Sequence, residues 1–82
     1  MEVCMTYYKE NEIEAIYLFG DPKSSSKGIM RIDKIQPLNS GIIKLPDDGS
    51  ICIKAAMKAL VKLIKKAEAG ELPKKLSYCP GW

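Results

Sequence analysis

Before residue 50 the apolar positions of this chain come in short runs broken by charged and turn-forming residues. The runs are Val3-Cys4-Met5-Thr6-Tyr7-Tyr8, Ile13-Glu14-Ala15-Ile16-Tyr17-Leu18-Phe19, Ile29-Met30-Arg31-Ile32-Asp33-Lys34-Ile35 and Ile42-Ile43-Lys44-Leu45. Their β-branched and aromatic content suits a pleated, half-buried surface, so each reads as a strand, the last a short one leading into a helix. Lys9-Glu10-Asn11-Glu12 reads as the four-residue turn of a first β-hairpin. Gly20-Asp21-Pro22 ends the second strand by turn chemistry, and Gln36-Pro37 stops the third because proline has no ladder donor. Leu38-Asn39-Ser40-Gly41 is a turn. The polar loop Lys23-Ser24-Ser25-Ser26-Lys27-Gly28 offers no core residue and is expected to be the most mobile element.

From Ser50 the period becomes helical. At about 100° per residue, Lys54, Lys58, Lys62, Lys65 and Lys66 fall within an arc of about 120°, and Ile53, Ala56, Met57, Leu60, Ile64 and Ala67 fill the opposite side. Ser50 can cap free N–H groups, with Asp47 and Asp48 complementing the positive end of the dipole. Gly70 suits the left-handed position just past a helix, and Pro73 follows it. The tail keeps Leu72, Leu76, Tyr78 and Trp82, too apolar for a disordered end; it is expected to pack back over the sheet or onto a second subunit and to close an edge.

The pattern therefore predicts one α+β domain, residues 1–82: an antiparallel sheet of three to four strands, β-β-β-(β)-α, covered by one long amphipathic helix over residues 51–69. The expected core is Val3, Met5, Tyr17, Phe19, Met30, Ile32, Ile53, Met57, Leu60 and Ile64. A one-residue slip would exchange the faces of the first two strands, so the inward set remains a choice at this point. One helix leaves the second face of such a sheet open, which makes Tyr8, Ile16 and Leu18 candidates for an exposed apolar patch.

Composition adds little until it is divided along the chain. The 82 residues, 46% hydrophobic and 28% charged, are ordinary for a small folded domain with a net charge of +3. Residues 1–53 carry six basic and eight acidic side chains, whereas residues 54–82 carry seven and two. That asymmetry suits an acidic macromolecular partner, although a lysine face also serves solubility.

Candidate chemistry is sparse. Cys4, Cys52 and Cys79 are widely spaced and odd in number, and histidine is absent; this is a poor disulfide framework and a poor zinc set, so no metal and no cofactor is expected. Cys52 is expected partly buried in the first helical turn, and Cys79 near the surface. Free thiols suit a cytoplasmic location, the N-terminus lacks the pattern of a secretory signal, and no apolar run approaches the ~20 residues needed to span a bilayer. Serine and cysteine nucleophiles have no motif that places a base beside them, Glu12 and Glu14 read as solvent-facing, and the glycines form no phosphate loop. The chain is expected not to be an enzyme.

The order of strands followed by a long helix, with Ser50 and then Lys54-Ala55-Ala56-Met57-Lys58-Ala59-Leu60, resembles the second half of a double-stranded-RNA-binding domain, without that family's first helix. The resemblance implies helix-start lysines on phosphates; small bacterial antitoxin and phage inhibitor proteins share the order. The leading expectation is a small inhibitor or adaptor, a homodimer, that binds an acidic protein partner through Lys54, Lys58, Lys62, Lys65, Lys66, Lys74, Lys75 and Trp82. Direct RNA or DNA binding by the same lysines is the alternative.

Overall fold

The computed structural model describes residues 2–79. Its architecture is α+β: a five-stranded antiparallel sheet with one helix packed on one face. The strands are β1 (Val3–Glu10), β2 (Glu14–Gly20), β3 (Gly28–Asp33), β4 (Gly41–Lys44) and β5 (Lys75–Tyr78), and the helix is α1 (Ile53–Glu68). The first four strands form a meander, then α1 crosses the sheet and returns the chain beside β1, giving the order β4-β3-β2-β1-β5. The sheet thus has one strand more than the three to four expected. The extra strand is the tail, which closes the β1 edge: Val3 pairs with Tyr78 and Thr6 with Lys75.

The first hairpin turns over three residues rather than four, because β1 runs on to Glu10 and the Asn11 side chain accepts from the Ile13 and Glu14 amides at 2.9 Å. A bulge between Tyr7 and Lys9 shifts the alternation of β1 by one residue, so Lys9 lies opposite outward-facing Ile16 and Glu10 opposite buried Ala15. At the end of β3 the Asp33 carboxylate accepts from the amides of Ile35 and Gln36, so a local side-chain turn rather than Pro37 alone stops the strand. A 3-10 turn, Pro37–Asn39, then leads to β4.

Cross-strand register decides the inward face. Val3, Met5, Ala15, Tyr17, Phe19, Met30 and Ile32 are fully buried under α1, and Ile16 and Leu18 stay on the uncovered face. The Tyr17 ring meets Tyr7 edge-on at 5.8 Å, and its hydroxyl donates to the Pro73 carbonyl at 2.6 Å, so the largest core side chain also anchors the segment entering β5. Burial pushes the Tyr17 hydroxyl up to about 12. Gly28 is required by contact: a Cβ there would stand 2.4 Å from the Lys44 carbonyl oxygen and 2.6 Å from the Phe19 ring.

The helix is turned about its axis relative to the expectation. Ala55, Ala56, Ala59, Leu60, Leu63 and Ile64 face the sheet, whereas Ile53 and Met57, placed in the core by periodicity, are 54% and 47% exposed. On a 3.6-residue helix this is a rotation of about 60°. The sheet already supplies Tyr17, Phe19, Met5 and Met30, and three alanines let the helix backbone approach that layer where Ile53 and Met57 would hold it off. Ile51, just before α1, is buried instead.

Both helix ends differ in detail from their sequence signals. The N-cap is Cys52, not Ser50: its Sγ accepts from the Ala55 amide at 3.5 Å, which leaves Cys52 exposed rather than half-buried. Ser50 instead donates to Asp48, whose carboxylate also receives Ser24 and is held down at about 2 by those hydroxyls. With Ser26 accepting the Asp47 amide at 2.9 Å, the serine loop expected to be most mobile is tied to the loop before α1. Gly70 does terminate the helix, at φ +81°, with its amide on the Ala67 carbonyl and that of Glu71 on Lys66.

Candidate functional site

The rotation of α1 gives its outer face a composition that periodicity did not predict. Ile53, Met57 and Val61 lie at i, i+4 and i+8, so they form one aliphatic stripe along the solvent side, each close to half exposed. Lys54, Lys58, Lys62 and Lys65 lie along one side of that stripe, and the helix carries one acid, Glu68, at its C-terminal end. On a helical projection Val61 falls about 20° outside Lys54, at the border of the lysine arc, with Met57 and Ile53 following it toward the core side.

The eight candidate residues separate into different environments. Lys54, Lys58 and Lys65 are exposed on α1 and pair with no carboxylate among the described residues. Lys62 reaches round the sheet edge, and its Nζ donates to the Ser77 carbonyl of β5 at 2.6 Å. Lys66 stands 3.7 Å from Glu71 beyond the helix end. Lys74 sits over the Tyr7 ring at 5.7 Å, and Lys75 pairs with Thr6, on the uncovered side of the sheet. Neither lysine continues the helix stripe. Trp82 lies outside the described residues.

Tyr78 does join the helix face. It closes a groove of about 390 Å³ with Lys58, Val61, Lys62 and Lys65, between α1 and β5. The groove has an apolar floor of Val61 and Tyr78 with three ammonium groups around it, so it suits a ligand that combines carboxylates with modest apolar surface.

The uncovered face of the sheet is a second surface. Register places Lys75, Thr6, Leu18, Ile29 and Lys44 in one row across all five strands, with lysines at both ends and aliphatic side chains between. The next row pairs Lys9, Ile16 and Arg31. Arg31 donates to Glu14 at 2.7 Å and stands 3.7 Å from Asp33, which raises its already high pKa. The bulge leaves Tyr8 59% exposed with Lys9 over its ring, so of the expected patch Tyr8 is open while Ile16 and Leu18 are partly covered by neighbours.

A third cluster ties elements together. Lys34 donates to Glu10 and to the Asn11 carbonyl, and Tyr7 donates to Glu10 at 2.9 Å. The lysine and tyrosine hold the Glu10 carboxyl below its ordinary value, and burial with Glu10 beside it raises Tyr7. These groups pair with one another at the foot of the first hairpin, which is a structural arrangement.

Among the described residues no helix is long and apolar enough to cross a membrane, and no three metal-ligating side chains gather in one place. Comparison of the chain with protein-family models, with curated proteins and with solved structures finds no match.

Proposed function

We propose that this chain is a small non-enzymatic interaction protein, of inhibitor or adaptor type, whose α1 outer face binds an acidic protein partner. One observation carries the reading: the aliphatic stripe Ile53-Met57-Val61 is half exposed and runs alongside the lysine face rather than under the sheet. Lysines alone would serve solubility or a phosphate backbone, but half-exposed aliphatic side chains beside them suit a partner that offers apolar contact next to carboxylates. Aliphatic side chains cannot stack on bases, which places direct RNA or DNA binding second.

The reading includes a second copy of the chain. The row Leu18-Ile29, with Ile16 beside it, has no covering layer among the described residues, and it lies on the far side of the sheet from α1, so self-association leaves the helix face open. Three cysteines with no disulfide among the described residues suit the cytoplasm.

The test compares the wild-type chain with K54E/K58E/K65E, three exposed lysines whose reversal removes no internal ion pair. Affinity capture from the host's lysate is expected to retain a partner on the wild type and lose it on the variant. Retention on both overturns the reading. A gel shift of mixed RNA and DNA at low salt, abolished in the variant and falling steeply with salt, would transfer the function to nucleic acid. Sedimentation equilibrium decides the second copy, because a monomer mass at high concentration removes it.

A further inference from the structure

From the α1–β5 groove we infer that the acidic partner segment is extended and adds to β5 as a sixth strand; this rests on the function proposed above and specifies the conformation of the ligand. The Tyr7 amide donates to the Lys74 carbonyl at 2.9 Å, and the register continues with Met5 opposite Leu76 and Val3 opposite Tyr78. In an antiparallel ladder the alternate residues then turn their backbone groups the other way. Lys75 and Ser77 therefore present their amides and carbonyls to the outer edge, where no described strand pairs with them. The Lys62 ammonium confirms this direction by taking the Ser77 carbonyl.

An incoming strand would place the side chains opposite Leu76 and Tyr78 on the helix side, against Lys58, Lys62 and Lys65, with Val61 and Tyr78 as floor. Alternate residues of a strand are ~6.6 to 6.8 Å apart, and Lys58 and Lys62, one helical turn apart, are separated by ~6 Å along the axis. Carboxylates at alternate positions thus meet successive lysines. Lys62 is the exchanging group, passing from the Ser77 carbonyl to a carboxylate as the strand enters.

A second copy fits this edge poorly, because its own β5 would bring another Lys75 and another set of α1 lysines against these. Lysines beside a short edge strand also discourage unspecific strand pairing, and an acidic strand is the ligand that lifts that barrier. The same device therefore sets the specificity.

The probe is a blocked nine-residue peptide of alternating Glu and Val, titrated into the isotopically labelled full chain at low salt. Two further peptides carry backbone N-methyl groups, one on its Val residues and one on its Glu residues. With the peptide antiparallel to β5 and Glu on the helix side, the Val amides face β5, so methylation there is expected to weaken binding at least tenfold, whereas methylated Glu amides, on the far edge, leave it within about twofold. The Lys75 and Ser77 amides are expected to become slow to exchange in the complex. Ser77→Pro removes an outward amide without touching the β1 ladder and is expected to abolish binding with the circular dichroism unchanged.

Equal binding of both methylated peptides, or binding without protection of Ser77, overturns the sixth strand while leaving the lysine face as an acid-binding surface. Failure of all three peptides at low salt overturns it too. The K54E/K58E/K65E capture judges the broader function separately, so the two failures are distinguishable.

Discussion

The ring of Phe19 occupies the space that a side chain on Gly28 would need, with two ring carbons 2.6 Å from where its Cβ would stand. The two residues are paired across β2 and β3, and the Lys44 carbonyl closes the other side at 2.4 Å. Backbone on one side and a fully buried ring on the other leave nothing that can move aside cheaply. Gly28→Ala is therefore expected to cost about 3 kcal/mol, at the upper end of ordinary overpacking, read as a lowered denaturation midpoint. A loss under about 0.5 kcal/mol would show that the Phe19 ring can repack.

The rotation of α1 makes a prediction about its own side chains. Leu63 is fully buried and Met57 is 47% exposed. Leu63→Ala should cost about 2 to 5 kcal/mol, and Met57→Ala about 0.5 kcal/mol or less. Paired urea titrations check it; comparable losses would restore the orientation that periodicity alone suggests.

Cys52 caps α1 through a sulfur, a weak acceptor, at 3.5 Å. Cys52→Ser offers a better acceptor at an exposed position and is expected to raise stability by about 0.5 kcal/mol, whereas Ser50→Ala, away from the cap, should leave helix content unchanged. Thermal melts followed by circular dichroism measure both.

Stability should fall at both extremes of pH. Asp48, held at about 2 by the Ser24 and Ser50 hydroxyls, favours the folded state above its unfolded value of 3.8, and that contribution is lost as pH falls from about 4 to about 2. Tyr17, pushed up to about 12 by burial, acts in the opposite sense: its contribution is complete below its unfolded value of 10 and is lost as pH rises from 10 to 12. Denaturation midpoints across pH test both limbs. Asp48→Asn should flatten the acid limb, and an unchanged acid limb in that variant would remove Asp48 from the account.

Much of the fold was legible because it is local. Alternation marked four strands, and the run Ser50 to Gly70 marked the helix to within two residues at its start and one at its end. Gly70 could be read as the stop because its left-handed φ is a backbone requirement that few other residues meet. Ser50 misled for the same local reason: a good capping residue stood two places from the cap, and Asp48 had already engaged it. The tail strand was harder to see, since four residues containing two polar side chains become a strand only by pairing with β1.

The candidate site was legible as charge and not as shape. The lysine arc follows from spacing alone, so Lys54, Lys58, Lys62 and Lys65 could be named at once, but the exposure of the aliphatic stripe beside them could not. Which side of an amphipathic helix is buried depends on the surface it meets, and the sheet's aromatic and methionine layer selects the alanines over Ile53 and Met57. Likewise Lys74 and Lys75 adjoin the helix in sequence, yet strand geometry sends Lys75 to the opposite side of the sheet and sets Lys74 over Tyr7. By itself the sequence determined the element types, their approximate limits and the basic helix, all properties of neighbouring residues. Only the tertiary structure decided the helix rotation, the fifth strand and the groove where Lys62 meets Ser77, because each depends on contacts between residues distant in the chain.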